Sequence, residues 1–435
     1  MLPRVSEPRS NTSGRSRNGT PRRRSERSGG SAPHLGAAVR HPIVKVPVQA
    51  AKILDAGHPW VFRDTVRRMP QGMSPGTLLH VHDDDGRPVG WGLVEPDGAV
   101  ALRIVSLQKQ FTWDDACLEA RVRRAQDHRL RNLDPGVGSA CRLLHGESDG
   151  FPGLAVDRLG DYLLVYKYSY VGESYLDRLV PILERVFEPR GIYMQDRIRA
   201  VNPQDRRPPA FHLAGVKAPP ELEVEEDGLR YVVDVTAPVS PGLFLDLREG
   251  RRLCEQVASE RAVLNLFSFT GSLALRALRG GARSVTNVDA AARSHARCRQ
   301  NLALSNMDPE ACETITGDAF KHLERMRARG REFDLVVVDP PPFSNVKGST
   351  FTALQHWSEL MEAVSRVTRE GGLVLAISNA SRLYEDEFLN ALGAGSRAAG
   401  RTARIVAERA LPCDFPVLPA FSEGRYLKIK LLQLP

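Results

Sequence analysis

The chain has 435 residues, which is enough for two or three domains with a large core. Its formal net charge of +8 lies almost entirely in residues 1–40, which hold nine Arg against two Glu, a net of +7, and leave +8 − 7 = +1 for the rest. Six scattered Cys without a Cys-x-x-Cys pair, and no apolar stretch of transmembrane length, exclude a disulfide framework and a membrane-spanning helix, so we predict no metal site, no membrane contact and a cytoplasmic location.

Residues 1–40 are rich in Arg, Ser, Gly and Pro and nearly free of large apolar side chains. We therefore predict a disordered basic tail. Two interpretations stay open. The tail either contacts RNA phosphates electrostatically, or it is a tolerated extension that reflects a wrongly chosen start codon.

Short apolar runs with turn residues between them fill residues 41–108. Apolar residues alternate at 43–48, and three further runs follow between Thr77 and Val105, with the turn Asp83-Asp-Asp-Gly86 between two of them. This pattern predicts a small β barrel or sandwich.

Residues 109–235 begin with a basic amphipathic pattern from Trp113 to Asn132, which predicts a helix. Its Arg and His residues either form a solvated face or contact phosphates. A strand, a helix and a second strand are predicted between Tyr162 and Met194, followed by a hairpin around Glu226-Asp-Gly228. We predict a separate central α+β domain.

Strands alternate with helical windows throughout residues 236–435, which is typical of a doubly wound α/β sheet. The predicted strands are 263–267, 284–288, 313–316, 334–338, 373–378, 404–408 and 426–432. In their number these seven strands resemble the Rossmann-like sheet of class I methyltransferases.

Residues 263–289 form the unit around which this domain is organised. An apolar strand is followed by the turn Thr270-Gly271, a helical window and a second strand that ends at Asp289. Asp289 follows Gly271 by 289 − 271 = 18 residues, close to the spacing of an acid that holds both hydroxyls of a ribose. The fingerprint G-x-G-x-x-G is absent, which argues against a pyrophosphate and favours S-adenosylmethionine. An ordinary βαβ unit with a capping Asp is the alternative.

Two further acids end strands of the same sheet. Asp318 follows the third strand and can accept the exocyclic amine of an adenine. Asp339 ends an apolar strand, and Pro340 after it cannot continue a central strand, so Asp339 is expected beside the sulfonium of the cofactor. Arg248, upstream of the first strand, could neutralise the carboxylate of a methionine moiety.

The residues expected to meet a nucleic-acid base come next along the chain. Phe343 can stack on a base, a contact worth ~1–3 kcal/mol. Asn345 follows two residues later, and Asn379 ends the fifth strand. Each of these alone is more often an ordinary strand-end turn.

Taken in order, these motifs resemble the RlmI/RlmK family of S-adenosylmethionine-dependent methyltransferases of 23S ribosomal RNA. The resemblance rests on Gly-Leu-Phe-Leu-Asp-Leu-Arg at 242–248, Asn-Leu-Phe-Ser-Phe-Thr-Gly at 265–271, Asp289, Asp318, Asp-Pro-Pro-Pro-Phe at 339–343 and the ending at 415–428. Residues 56–62 resemble the PUA domain, a small RNA-binding barrel, found at the front of such enzymes. The resemblance implies four segments: a basic tail (1–40), a PUA-like barrel (41–108), a central domain (109–235) and a methyltransferase domain (236–435).

The same resemblance implies which residues do what. Cofactor contacts are expected from Arg248, Asn265, Phe267, Thr270, Gly271, Asp289, Asp318 and Asp339. The base is expected to be placed by Asp339, Phe343, Asn345 and Asn379. The expected partner is 23S ribosomal RNA, either free or in a precursor of the large subunit, and the sequence leaves the oligomeric state open, a homodimer included.

Two departures from the family pattern bear on the chemistry. The RlmI branch methylates cytosine C5 through a Cys on the fifth strand, where this chain has Ile377 and Asn379. The RlmK branch, which acts on guanine N7, resembles Asp-Pro-Pro-x-Phe-Ser-Asn at 339–345 and Ser-Asn at 378–379. Residues 238–242 also lack a Lys that the family usually has, which removes one expected basic contact.

Three hypotheses for the function are compatible with these departures from the family pattern. The first is methylation of a guanine nitrogen in 23S ribosomal RNA by direct transfer. The second is 5-methylcytosine formation with a Cys from another loop, for which Cys413 is the candidate. The third, of a different class, is an RNA-binding protein whose methyltransferase domain has lost turnover.

Overall fold

The computed structural model describes residues 41–198, 207–346 and 349–435, so the predicted tail at 1–40 lies outside the described residues. The first five strands form one sheet in the order β1-β3-β4-β5-β2, in which β1 and β3 are parallel and the other neighbours antiparallel. Its elements are β1 (Ile43–Val46), α1 (Val48–Asp55), β2 (Trp60–Phe62), β3 (Leu78–Asp83), β4 (Pro88–Val94) and β5 (Val100–Ser106).

A second five-stranded sheet follows in the order β10-β9-β8-β7-β6, with a separate two-stranded hairpin after it. Its elements are α2 (Asp115–Asn132), β6 (Ala140–His145), β7 (Leu154–Leu159), β8 (Tyr162–Lys167), α3 (Tyr170–Glu173), α4 (Leu176–Phe187), β9 (Gly191–Asp196) and β10 (Phe211–Gly215), and the hairpin is β11 (Leu222–Glu226) and β12 (Leu229–Val233). Alternate residues of β8 face different cores. Leu163 and Val165 pack against α2 and α4, whereas Tyr162, Leu164 and Tyr166 face the third sheet.

The third sheet has seven strands in the order β15-β14-β13-β16-β19-β21-β20. Its elements are α5 (Arg248–Val257), β13 (Ala262–Leu266), α6 (Ser272–Arg279), β14 (Ser284–Asp289), α7 (Ala292–Leu304), β15 (Cys312–Thr316), α8 (Ala319–Ala328), β16 (Phe333–Val338), β17 (Phe343–Val346), β18 (Ser349–Thr352), α9 (Ala353–Ser365), β19 (Thr368–Ser378), α10 (Glu385–Ala398), β20 (Arg404–Arg409) and β21 (Lys428–Leu434). β21 runs antiparallel to both of its neighbours. The predicted α/β fold and its seven strands are confirmed, whereas the predicted segment boundaries stay predictions.

Both faces of the third sheet are buried, which explains why its central strands read as continuous apolar runs. On β16, Leu335 and Val337 face α5, α6 and α7, whereas Val336 and Val338 face α8, α9 and α10. The face with Leu335 also packs against the second sheet, so the two sheets share one core. A site between these sheets is therefore held by packing on two sides.

A buried ion network joins the hairpin to α5 and α6. Glu226 is fully buried and accepts hydrogen bonds from Arg248 at 3.3 Å, Arg251 at 2.8 Å and Arg276 at 2.8 Å. Burial alone would raise the pKa of Glu226, but the three guanidinium groups outweigh it and hold that pKa below its ordinary value. The network fixes the hairpin against the helices that support the third sheet.

Glu226→Ala is expected to lower the free energy of unfolding by about 3–5 kcal/mol, because it leaves three buried guanidinium groups without their shared carboxylate. Chemical denaturation measures the change. Because the pKa of Glu226 is lower in the folded than in the unfolded state, its stabilisation is full above the unfolded pKa and is lost as the pH falls. The difference in free energy of unfolding between wild type and Glu226→Gln should therefore become smaller in acid. Glu223→Ala on the exposed side of the same strand is the control, with an effect within about 0.5 kcal/mol. An equal effect of both changes would contradict the role of the network.

Candidate active site at the carboxyl edge of the third sheet

The carboxyl ends of five neighbouring strands lie along one edge of the third sheet. In spatial order they carry Asp318 after β15, Asp289 at the end of β14, the loop 267–271 after β13, Asp339 after β16 and Asn379 after β19. This is the edge at which ligands bind in doubly wound sheets. The strand-end residues that were predicted from the sequence are thus brought to one edge.

The loop 267–271 is tightly turned and is held by Asp289. Phe267, Phe269 and Gly271 have φ values of 57°, 48° and 79°, so three of its five residues adopt the left-handed conformation. One carboxylate oxygen of Asp289 accepts a hydrogen bond from the Phe269 amide at 2.8 Å, and the other accepts one from the Ala291 amide at 2.8 Å. Each oxygen keeps further acceptor capacity.

Asp318 lies beside Asp289 at the same edge. The amide of Gly317 donates to the carbonyl of Asp289 at 2.9 Å, which ties the two strand ends together. Asp318 caps α8 by accepting a hydrogen bond from the Lys321 amide at 3.0 Å through one carboxylate oxygen. Two half-buried carboxylates with spare acceptor capacity therefore flank a turned loop, and this donor and acceptor set suits the ribose hydroxyls and the exocyclic amine of an adenosine.

Thr270, Asn265 and Gly271 support the loop from within the protein. The Thr270 hydroxyl donates to the Gly242 carbonyl at 2.6 Å, and the Asn265 amide donates to the Asn287 side chain on the neighbouring strand at 2.9 Å. A Cβ at Gly271 would lie 2.2 Å from the Cys298 sulfur. The absence of a side chain at Gly271 therefore allows α7 to pack closely.

Asp339 lies beside a second acid. Burial, and next the carboxylate of Asp246, raise the pKa of Asp339 to about 7, while Arg251 opposes the shift. Its carboxyl group is thus poised between its neutral and charged forms near neutral pH. A positive charge placed next to it would favour the charged form.

Asp339→Asn should raise the unfolding temperature, and the gain should grow between pH 4 and pH 8. A carboxyl group whose folded pKa lies above its unfolded pKa costs stability as the pH rises through that interval, because ionisation is disfavoured in the folded state. Differential scanning fluorimetry across that range measures it. Asp334→Asn, at the other end of β16, is the control with the opposite sign, because its pKa is lowered despite burial by the Ala262 amide, Arg369 and Arg283. A gain that does not change with pH would contradict the raised pKa.

A cavity of about 620 Å³ lies between the second and third sheets, next to this edge. It is lined by polar and aromatic residues from three parts of the chain. They include Trp60 and Arg103 from the first sheet, Arg142, His145, Asp157 and Tyr166 from the second, and Asp246, Pro342, Asn379, Phe415 and Tyr426 from the third sheet and its loops. Its size is in the range of small-molecule sites and suffices for a nucleic-acid base.

Three of the residues predicted to place a base lie differently with respect to this cavity. Asn379 lines it, and its side-chain oxygen is buried without a hydrogen-bond partner in the part of the chain that the structure describes. Phe343 follows Pro342, which lines the cavity, and its side chain is 61% exposed. Asn345 lies in β17, but its side chain is outside the described residues.

Arg248 is not at the sheet edge, which corrects the prediction that it neutralises a methionine carboxylate. Its guanidinium is 1% exposed and makes hydrogen bonds to both carboxylate oxygens of Asp414, at 2.7 and 3.2 Å, and to the Ala140 carbonyl at 3.0 Å. Because the guanidinium of Arg248 also donates a hydrogen bond to Glu226, it is engaged by other parts of the protein. Arg248 joins the second sheet to the C-terminal loop instead.

The thiol of Cys413 also lies apart from the cavity. It donates a hydrogen bond to the carbonyl of Asn132, at the end of α2, at 3.2 Å. Burial, and next the neighbouring Asp414, raise the pKa of this thiol, which lowers its thiolate fraction. None of the six Cys of the sequence is among the residues that line the cavity.

Part of the basic face predicted on α2 is committed to internal contacts, whereas Arg123, Arg124 and Arg131 are exposed. Arg121 donates to the Gly150 carbonyl at 2.6 Å and lies over the Trp113 ring, and buried Arg129 pairs with Asp149 at 2.7 Å. Arg123 pairs with Glu119 on the same helix. Through Arg121 and Arg129, α2 supports the second sheet.

Residues that line or support the cavity from distant parts of the chain were not predicted from the sequence. The Tyr426 hydroxyl donates to Asp246 at 2.8 Å, and Lys428 donates to the carbonyls of Tyr426 at 2.8 Å and Ala380 at 3.2 Å. Arg142 lies over the Phe415 ring at 4.4 Å. Both Asp246 and Tyr426 stand in motifs that were quoted for their family resemblance, which was the available signal.

Comparisons with known proteins find related sequences and structures. Residues 141–423 match the family model described as S-adenosylmethionine-dependent methyltransferase, and residues 44–107 match the PUA-like domain. Ribosomal RNA large subunit methyltransferase I of Shigella boydii is 30% identical over 85% of this chain and 94% of its own length. The protein of the same name from Alteromonas mediterranea is 29% identical over 87% of this chain and 95% of its own length.

Two solved structures share the fold over 90% of this chain and the whole of their own. A methyltransferase, SMU.776, solved in complex with SAH, superposes with a TM-score of 0.82 at 23% identity. A SAM-dependent methyltransferase from Streptococcus mutans superposes with a TM-score of 0.80 at 22% identity. Within the described residues, no helix is long and apolar enough to cross a membrane.

Proposed function

This chain belongs to the S-adenosylmethionine-dependent methyltransferase family, and we propose that it methylates a base of 23S ribosomal RNA, at a guanine nitrogen, by direct transfer. The PUA-like domain and the relatives named as ribosomal RNA large subunit methyltransferases support RNA as the substrate class. We place the reaction in the cytoplasm, since free Cys are the rule in that compartment. A homodimer stays a prediction.

We propose that the carboxyl edge of the third sheet holds the cofactor. Asp289 would accept hydrogen bonds from the ribose hydroxyls, Asp318 would accept one from the adenine amine, and the loop 267–271 would supply its backbone between them. When bound, S-adenosylmethionine supplies a methyl group on a positively charged sulfur. Asp339, whose pKa is raised to about 7, would become charged in response to that positive charge.

The observation that carries the direct-transfer proposal is the lining of the cavity. Cytosine C5 is a poor nucleophile, so its methylation needs a thiolate that first adds to C6. Asn379 occupies the strand end where the cytosine-specific branch has its Cys, and no Cys lines the cavity. A guanine nitrogen that carries a lone pair needs only in-line placement, which Asn379 and the rigid Pro340-Pro341-Pro342 turn can provide.

We propose that the first two sheets bind RNA around a base that is flipped into the cavity. Trp60 and Arg103 of the first sheet and Tyr166 of the second sheet line the same cavity as Asn379. Phe343, with its exposed ring, would stack on the target base or on its neighbour.

Two other functions make different predictions. Formation of 5-methylcytosine would need Cys413, whose thiol faces the end of α2 rather than the cavity. An RNA-binding protein without turnover would keep RNA affinity but would transfer no methyl group, and the two acids at the sheet edge argue against it.

Incubation with methyl-tritiated S-adenosylmethionine and in vitro transcribed 23S ribosomal RNA tests the proposal. The RNA is then digested to nucleosides and separated by chromatography. Tritium in a methylguanosine is expected. Tritium in 5-methylcytidine would favour the Cys413 route, and RNA binding without any transfer would favour the non-catalytic function.

A further inference from the structure

One side of α2 carries four basic side chains in a row. They follow one another at spacings of three, four and three residues, which places them along the same side of the helix. They are Arg121, Arg124, His128 and Arg131, which we call the basic stripe. At a rise of about 1.5 Å per residue the basic stripe is about 15 Å long, enough to follow successive phosphates of one RNA strand.

Carboxylates do not neutralise the Arg residues of the basic stripe. Arg121 donates to the carbonyls of Gly150 and Val105, which leave its positive charge in place. Arg124 and Arg131 are exposed and make no hydrogen bond or ion pair with any residue that the structure describes. Their donors are therefore free for a ligand.

The other two Arg of α2 lie off the basic stripe and are paired. Arg123 pairs with Glu119, and Arg129 pairs with Asp149, each at 2.7 Å. The exposed Asp127 borders the basic stripe, so its three Arg against this Asp leave a local charge of 3 − 1 = +2. Residues 41–435 as a whole carry only +1, so positive charge is concentrated on this side of α2.

A groove connects the basic stripe to the cavity at the sheet edge. A depression of about 400 Å³ beside α2 is lined by Arg121, Arg124 and His128. Glu147 and Ser148 line both this depression and the cavity. The depression therefore leads into the cavity across these two residues.

Two acids line the depression, and Arg residues neutralise both of them. Glu147 pairs with Arg103 and accepts a hydrogen bond from the Trp60 indole at 2.9 Å. Asp149 accepts two hydrogen bonds from Arg129, at 2.8 and 2.7 Å. The uncompensated charge in the groove is therefore that of the basic stripe, and it is complementary to an anion.

We propose that the basic stripe binds phosphates of the RNA strand next to the target nucleotide, so that this strand passes from α2 over Glu147 and Ser148 to the base in the cavity. This inference rests on the proposed function and adds the path of the RNA backbone. An unpaired strand suits the groove, because its bases can be turned out of the stack without opening a duplex. Arg residues that neutralise phosphates release counterions, so the contact makes binding depend on salt.

The test compares wild type with Arg124→Gln, with the double variant Arg124→Gln/Arg131→Gln and with Arg123→Gln. Arg123→Gln is the matched control, because it removes the same charge from an exposed neighbour whose side chain leaves the helix about 100° away from that of Arg124. Filter binding with a trace of labelled, in vitro transcribed 23S ribosomal RNA gives Kd across a series of KCl concentrations. Methyl transfer to the same transcript gives kcat and KM.

The double variant should bind the transcript roughly tenfold more weakly at about 0.15 M KCl. Its slope of log Kd against log[KCl] should fall by about 1.4, because each phosphate contact to a single strand contributes ~0.7. KM for the transcript should rise by a similar factor, whereas kcat at saturating RNA and the affinity for S-adenosylmethionine should stay within about twofold of wild type. Arg124→Gln should show about half of the change in slope, and Arg123→Gln should match wild type.

Each outcome has a defined consequence. A reduced slope in the two variants of the basic stripe, with wild-type behaviour of Arg123→Gln, supports the inference. Equal losses in Arg123→Gln and Arg124→Gln would indicate a general effect of charge, and they overturn it. Wild-type binding by the double variant also overturns it, and leaves the basic stripe as a solvated face or a contact for an acidic protein. Absence of methyl transfer by wild type overturns the proposed function, and the salt dependence of Kd then decides the inference separately.

Discussion

Asp289→Ala is expected to weaken binding of S-adenosylmethionine at least a hundredfold. The side chain would lose charged hydrogen bonds to two ribose hydroxyls, each worth ~1.5–3 kcal/mol. It would also release the Phe269 and Ala291 amides, which the carboxylate now holds at 2.8 Å. Isothermal titration calorimetry measures the affinity.

Loss of the ribose contact must be separated from collapse of the loop 267–271. Asp289→Asn keeps a side-chain oxygen that can accept a hydrogen bond from one of the two amides. It should therefore lower the unfolding temperature less than Asp289→Ala does, while the affinity for S-adenosylmethionine still falls. Ser284→Ala, at the exposed start of the same strand, should leave affinity unchanged. Wild-type affinity in Asp289→Ala would mean that the cofactor does not lie against the end of β14.

The third sheet could be predicted from sequence because its strands are buried on both faces. Such strands read as apolar runs of five or six residues that alternate with helical windows, as at Phe333–Val338. The same rule placed Asp289, Asp318, Asp339 and Asn379 at one edge, because parallel strands end on the same side of a sheet. Their order along that edge follows from strand order, which the family resemblance implied.

Long-range contacts could not be predicted in the same way. Arg248 pairs with Asp414, 166 residues away, and Cys413 donates to Asn132, 281 residues away. A local pattern shows that an Arg or a Cys is present, but it does not show which distant carboxylate or carbonyl will be its hydrogen-bond partner. The roles suggested for these two residues depended on such partners, and the structure supplies different ones.

The lining of the cavity could not be predicted for the same reason. Asp246 and Tyr426 are 180 residues apart, and both lie in loops beside the third sheet, where they face the second sheet across the cavity. Neither residue ends a parallel strand. The rule that parallel strands end on the same side of a sheet, which placed the cofactor acids, therefore does not apply to them. The residues of this cavity depend on how the central domain packs on the methyltransferase domain.

Asn379→Ala is expected to lower kcat/KM for 23S ribosomal RNA by a factor of roughly 10–100, while the affinity for S-adenosylmethionine stays near wild type. Its amide lines the cavity, and its buried oxygen has no partner in the described part of the chain. Loss of hydrogen bonds that position the base, worth ~1.5–3 kcal/mol, accounts for that factor. Steady-state methyl transfer, with calorimetry for the cofactor, separates the two quantities.

The same strand end predicts that the enzyme forms no covalent adduct with RNA that contains 5-fluorocytosine. Trapping requires a thiolate to add to C6 and fluorine to block elimination from C5, and Asn379 stands where that thiolate would be needed. A denaturing gel after incubation with fluorocytosine-substituted 23S RNA and S-adenosylmethionine should show no shifted band, in wild type as in Cys413→Ser. A shifted band in wild type that disappears in Cys413→Ser would show that this thiol reaches the base despite its hydrogen bond to Asn132, and it would establish cytosine as the target.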